Sequence, residues 1–225
     1  MPSKYIIKEY VENGVYHVYN RGVEKRTIFL DEHDYAFFLY LLKSYLTKPG
    51  KKEGHTLSEI QFGQYEGRIE LLAYALMPNH YHLLIRQKGV NDFSEFIRSV
   101  MTNYVMYFNK KYDRVGTLFQ GPCKAILVKN DEYLVHLSRY IHLNPVADVL
   151  GTLEGDTLRK ELMCGYTSYA EYLNFRKTQW VKPEFLLDLF SGSVSRELYK
   201  GRSYQIFVED LAINDKESLG FLCID

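Results

Sequence analysis

The chain of 225 residues has no excess of either charge: 28 lysines and arginines meet 28 aspartates and glutamates, for a formal net charge of zero. That balance excludes the diffuse, purely electrostatic nucleic-acid binder and leaves a local basic face as the only electrostatic route to DNA or RNA. Cysteine is also scarce. Cys123, Cys164 and Cys223 stand far apart with no C-x-x-C spacing, so neither a disulfide framework nor a cysteine zinc site is expected. No apolar run approaches the roughly 18 to 20 residues of a membrane span, and Met1-Pro2-Ser3-Lys4-Tyr5 lacks the apolar stretch of a secretory signal. A cytoplasmic protein with no membrane partner is expected. With 46% hydrophobic residues, the chain can bury one full core plus an appendage.

What the sequence does have is distributed unevenly. Arg98, Lys110, Lys111, Arg114, Lys124 and Lys129 face a single acid, Asp113, across one stretch, whereas Phe207 to Asp225 reverses the balance. One nucleic-acid face and one solvated end would give this pattern, although charge runs are more often plain solvated faces. The 20 tyrosines suit base stacking, but most tyrosines in any fold simply pack.

Val15 to Tyr19 is rich in β-formers and ends at Asn20-Arg21-Gly22, which predicts a first strand. Asp31 opens a helix with apolar positions Tyr35, Phe38, Leu39, Leu42 and Leu46, and Pro49-Gly50 is expected to end it. Lys51 to Gly67 shows no period and is expected to be a loop or short hairpin. Arg68 to Met77 and His80 to Arg86 predict paired strands around Pro78-Asn79. A helix capped by Asp92 or Ser94 follows and runs to Lys111, then a strand from Lys124 to Lys129. Asn130 or Asp131 caps a last core helix, which should stop near Asn144 because Pro145 disfavours helical geometry before it. The order is strand, helix, strand, strand, helix, strand, helix. It implies an α+β sandwich, an antiparallel sheet with helices on one face. Past about residue 165 short helices are expected, broken at Gly192 and Gly201, so that 1–150 is the expected functional domain and 151–225 a helical extension.

Two constellations carry chemistry. On a strand, His80 and His82 point to one side and Tyr81 to the other, so two imidazoles can share one metal ion. H-x-H alone is weak, since two partly exposed or hydrogen-bonded histidines give the same pattern. On the last core helix, His136, Tyr140 and Asn144 lie four apart, away from the buried stripe of Leu134, Leu137 and Ile141. A tyrosine and a carboxamide one turn apart can approach the same metal and phosphate, but a packed ring and a helix-ending asparagine fit as well. Tyr104 and Tyr107 are rival tyrosines without a carboxamide four residues on, and Glu70 is a further carboxylate near the turn.

Met77 to Leu84 with its His80-Tyr81-His82, preceded by Tyr16 to Gly22, resembles the single-tyrosine HUH transposases of the IS200-like family, and among them the REP-associated tyrosine transposases. Gly116 to Gly121 and Tyr140 to Val146 are similar to further signatures of that family, and the likeness spans about residues 14 to 150. The resemblance implies a ferredoxin-like sandwich, Tyr140 as nucleophile, and His80, His82 and Asn144 as ligands of a divalent metal. The chemistry that the resemblance implies is cleavage and rejoining of single-stranded DNA at hairpins through a 5′-phosphotyrosine. Two imidazoles and a carboxamide are softer than magnesium's preferred oxygen shell, so Mn2+ should serve at least as well as Mg2+. Arg21, Arg98, Lys110, Lys111, Arg114, Gln120 and Lys124 are the expected DNA contacts, and a homodimer is admitted. Pro122-Cys123 and Ala147-Asp148 depart from the family pattern and bear on DNA affinity. A hairpin-binding module without nuclease activity is the competing class; a zinc hydrolase lacks a further ligand and base at a familiar spacing.

Overall fold

The computed structural model describes residues 10–48, 63–149, 152, 155–192 and 201–214. The sheet contains β1 (Val15–Arg21), β2 (Ile69–Met77), β3 (His80–Gln87) and β4 (Lys124–Val128) in the order β2-β3-β1-β4, every pairing antiparallel. The helices are α1 (Glu32–Leu46), α2 (Asp92–Lys111), α3 (Asp131–Leu143), α4 (Gly155–Cys164), α5 (Tyr169–Tyr172), α6 (Glu184–Ser191) and α7 (Tyr204–Asn214). The α+β class and the strand-helix order are those expected. The end expected for α1 at Pro49-Gly50, and most of the loop expected from Lys51 to Gly67, lie outside the described residues. Among the described residues no helix is long and apolar enough to cross a membrane.

Helices cover both faces of the sheet, not one. Tyr16, Val18, Tyr81, Leu83 and Ile85 pack with Phe38 and Leu42 of α1 and Phe96 and Val100 of α2. Val15, Ala75, Met77 and Leu84 pack with Leu134, Leu137 and Ile141 of α3 and with Phe190 and Phe207 of the C-terminal helices. The reason is legible in Ile69-Glu70-Leu71-Leu72-Ala73-Tyr74-Ala75-Leu76-Met77, where eight of nine residues are apolar and the same eight are buried. A strand without alternation needs cover on both sides. The register of β2 against β3 shifts between Leu71 and Ala73, and this bulge sends both Leu72 and Ala73 to the α3 side.

The helix starts follow local chemistry. The Asp31 carboxylate accepts from the Asp34 amide at α1, and Asn130 accepts from the Tyr133 amide at α3. Neither Asp92 nor Ser94 caps α2. The cap position is Asn91; Asp92 accepts from the Gly89 amide and pairs with Arg68, while Ser94 donates to the Asn91 carbonyl. At its other end α3 stops at Leu143, but the chain tightens into a 3-10 turn over Asn144–Val149, with Asn144 still helical at φ −53°, ψ −43°. The α-helix therefore ends where proline requires while the path of the axis is kept through Asn144.

A buried polar chain ties α3 to the sheet and the C-terminal helices. His142 Nε2 lies 2.9 Å from Ser168 Oγ and Nδ1 lies 3.0 Å from the Tyr204 hydroxyl; Tyr204 reaches Ser138 Oγ at 2.9 Å, and Ser168 Oγ accepts from the Tyr74 amide of β2. Removing one link leaves buried partners unsatisfied, which costs more than the bond itself contributes. Tyr204→Phe is expected to lower stability by about 1–2 kcal/mol, read as a reduced urea midpoint; an unchanged midpoint would mean that the network contributes nothing to holding α3.

Candidate active site

The two central strands set the site. In the β1–β3 register Tyr19 lies opposite His82 and Arg21 opposite His80, so alternation directs His17, Tyr19, His80 and His82 to the α3 side. Tyr81 is fully buried on the other side, as the strand period requires. The β2–β3 turn is held from outside: the Pro78 carbonyl accepts from the Ile28 and Phe29 amides and the Asn79 carbonyl from the Gly22 amide.

A cavity of about 70 Å³ is lined by Tyr19, Asn20, Arg21, His80, His82, Gln120, Lys124 and Tyr140. Tyr140 is 8% exposed, and its ring meets His82 edge-on with centroids 5.5 Å apart. His80 Nε2 is 3.2 Å from Asn144 Oδ1, which brings the α3 terminus onto the H-x-H strand. The other nitrogen, His80 Nδ1, lies 2.6 Å from Asn79 Oδ1, and the Asn79 amide nitrogen faces the Lys25 carbonyl at 3.4 Å. That orientation makes Asn79 an acceptor, so the His80 proton belongs on Nδ1 and a lone pair on Nε2. Nε2 and the Asn144 oxygen then present lone pairs to one another, an arrangement suited to a cation between them. The donor set, imidazole nitrogens plus a carboxamide oxygen, fits a divalent ion of borderline softness.

Burial governs the protonation of this region. His82 is pushed well below its usual pKa by desolvation, with His17 and His80 adding to the effect; His17 is pushed down to about 3 by desolvation alone, as is His142. Neutral imidazoles are the form that binds metals. For His17 and His142, folded-state values near 3 against an unfolded value near 6.5 mean that the unfolded chain binds more protons as pH falls between about 6.5 and 3. The stability contributed by these two neutral histidines is present above that window and is lost on acidification, with a slope on the order of 1 kcal/mol per pH unit, and His82 acts in the same direction. Urea midpoints at pH 7 and pH 5 measure this; equal midpoints would contradict it. His80 is half-buried, whereas His82 is 4% exposed.

Of the residues singled out from sequence, the structure gathers His80, His82, Tyr140 and Asn144 with Arg21, Gln120 and Lys124. Lys124 Nζ sits 5.4 Å over the Tyr19 ring. The four basic residues of the α2 region do not join them. Helix α2 lies on the opposite face, packed through Phe93, Phe96 and Ile97. Lys111 is held by Asp31 and Asp34 at 2.8 and 2.7 Å, which neutralises it, and Arg114 lies over the Phe108 ring. Lys110 is exposed at the end of α2. Arg98 borders a separate apolar groove of about 350 Å³, whose lining shares Asn20 with the cavity. The rival tyrosines are also on that face: the Tyr104 hydroxyl donates to the Ile28 carbonyl and Tyr107 donates to Asp34. Glu70 pairs with Arg86 at 3.4 Å. His136 contacts Arg139 and Phe207. Sequence reasoning passed over His17 and Asn79, the groups touching the outer nitrogens of His82 and His80. The period-2 spacing of His17 and Tyr19 in the first strand was the available signal.

The four-stranded antiparallel sheet thus presents two histidines to a tyrosine on a helix packed across it. Residues 43–144 match the family model described as transposase IS200 like. Among solved structures, the REP-associated tyrosine transposase bound to a REP hairpin is similar at 14% identity and a TM-score of 0.52, over 78% of this chain and 95% of that one. At that identity the likeness speaks for the fold. A protein from Deinococcus radiodurans R1 described as a transposase aligns at 16% identity and a TM-score of 0.38, over 60% of this chain and 93% of that one. No curated protein matches the chain.

Proposed function

We propose that the chain is a metal-dependent endonuclease and strand transferase for single-stranded DNA, with Tyr140 as nucleophile and His80, His82 and Asn144 as ligands of one divalent ion, Mg2+ or Mn2+. Residues 1–150 form the catalytic domain in this reading and 151–225 a helical extension that braces α3. The observation that carries it is the meeting of His80 Nε2 and Asn144 Oδ1 at 3.2 Å beside a cavity walled by Tyr140 and His82.

A phosphodiester resists attack because its negative charge repels nucleophiles. An ion held by the two imidazoles and the carboxamide would polarise the scissile phosphate and favour the phenolate. Arg21 and Lys124 supply positive charge in the cavity lining and Gln120 a polar contact there. Tyr140 Oη forms a bond to phosphorus as the bond from phosphorus to the 3′ oxygen breaks; that oxygen takes up a proton and leaves as a 3′-hydroxyl. The 5′-phosphotyrosine retains the energy of the phosphodiester, so a second 3′-hydroxyl can displace Tyr140 and rejoin strands.

A hairpin flanked by single strand is the proposed substrate, because paired bases would hold the target phosphate away from a recessed tyrosine. The hairpin carried by the structural neighbour supports this choice. Incubation with single-stranded hairpin oligonucleotides and Mn2+ should yield a covalent adduct that survives a denaturing gel, while plain duplex of the same sequence yields none. Binding without any adduct would favour the hairpin-binding module, and equal reaction with duplex would overturn the single-strand reading.

A further inference from the structure

His17 takes no part in the chemistry above, yet it is 1% exposed and lies against the site. Its ring is nearly coplanar with that of His82, with centroids 5.0 Å apart and planes 18° from parallel, and it meets the Tyr140 ring edge-on at 6.4 Å. Its Nε2 is 2.8 Å from His82 Nδ1. Its Nδ1 is buried and has no hydrogen-bond partner among the described residues.

Two neutral imidazoles that share one hydrogen bond have two proton arrangements. In the first, His17 Nε2 donates, and His82 carries its proton on Nε2 and turns an N–H toward the cavity. In the second, His82 Nδ1 donates, and its Nε2 keeps a lone pair. Only the second lets His82 bind a cation through Nε2. It also places the His17 proton on the nitrogen that has no partner. Native structures rarely bury an N–H without an acceptor, and where one occurs a role at a functional site is a recognised reason.

We propose that His17 is a positioning residue, accepting from His82 Nδ1 and so selecting the tautomer in which His82 Nε2 faces the ion. The inference rests on the ligand role proposed for His82. A metal-bound histidine commonly donates its second N–H to a carboxylate or a carbonyl. A carboxylate here would place a further negative charge near an incoming phosphate, whereas an imidazole accepts the proton without one. His17 therefore matches a site that must bind both a cation and a polyanion.

The test compares the wild type, His17→Phe and His17→Gln. Phenylalanine keeps an aromatic ring at the position and removes the acceptor; glutamine restores a carboxamide oxygen that can accept. Mn2+ affinity is read from the free-ion resonance in an EPR titration, and the protonated nitrogens are read from imidazole 15N shifts of the Mg2+-loaded wild type. The expected result is a His82 protonated on Nδ1, a loss of about 10- to 100-fold in Mn2+ affinity for His17→Phe, and recovery of most of it in His17→Gln. Should His17→Phe fail to fold, the wild-type shifts and the glutamine variant decide. A wild type that binds no ion removes the ligand reading itself, and this inference with it. A wild type that binds the ion with His82 protonated on Nε2, or a folded phenylalanine variant that binds as tightly, overturns the role of His17 alone.

Discussion

Replacing Tyr140 with phenylalanine should abolish the covalent DNA adduct and reduce strand cleavage by about 10³-fold or more, with little change in stability or in hairpin affinity. The substitution removes one oxygen from a ring that is 8% exposed and packed in the core formed by α3 and the sheet, so the ring and its edge contact with His82 remain. A merely structural tyrosine would show the opposite pattern: a shifted unfolding midpoint and unaltered cleavage. Cleavage by Tyr140→Phe at the wild-type rate would assign the nucleophile elsewhere. Tyr104 and Tyr107 would then be poor successors, because both lie across the sheet with their hydroxyls engaged by Ile28 and Asp34.

The second large effect concerns the ion. His80→Ala should weaken Mn2+ binding and lower cleavage by about 100-fold or more, with stability changed little, since His80 is half-buried at the start of β3. His82→Ala should lose activity to the same extent but also lose stability, because it leaves a cavity beside His17 and strips His17 of its hydrogen bond. The two variants thus separate by unfolding midpoint while agreeing in metal titration. Chelation of the wild type should reproduce the activity loss of both. Cleavage that persists in either variant, with and without chelator, would remove the metal from the account.

The sheet was legible because β1 and β3 carry its logic in the open: β-branched and aromatic residues, a turn signal at each end, and histidines two apart. The same period placed Tyr81 opposite His80 and His82, and the four-residue step placed Asn144 on the Tyr140 side of its helix. What remained hidden needed tertiary partners. The second layer of helices became visible only through the burial of β2 on both sides, a strand whose apolar run had no alternation to betray its two contacts. Helix α4 was not read because Gly155 to Cys164 buries only Leu158 and Leu162, too short a stripe to show a period. The basic run from Arg98 to Lys129 read as one face, but a charge in sequence carries no information about its neighbour. Lys111 is neutralised by Asp31 and Asp34, some eighty residues earlier in the chain. His17 was hidden for the same reason: its role depends on a nitrogen 65 positions away.

Salt dependence gives an independent measure of which cations touch DNA. Loss of Arg21 or Lys124 should each lower the slope of log affinity against log salt by about 1, while loss of Lys111 should leave it unchanged. Equal slopes for all three variants would return the basic helix α2 to the interface.

The most direct measurement is peptide mapping of the adduct. After reaction with a single-stranded hairpin and Mn2+, digestion with nuclease and protease should leave a nucleotide attached to the peptide that contains Tyr140, and to no other tyrosine of the 20 in the chain. An adduct on a different tyrosine, or strand cleavage with no adduct, would contradict the account.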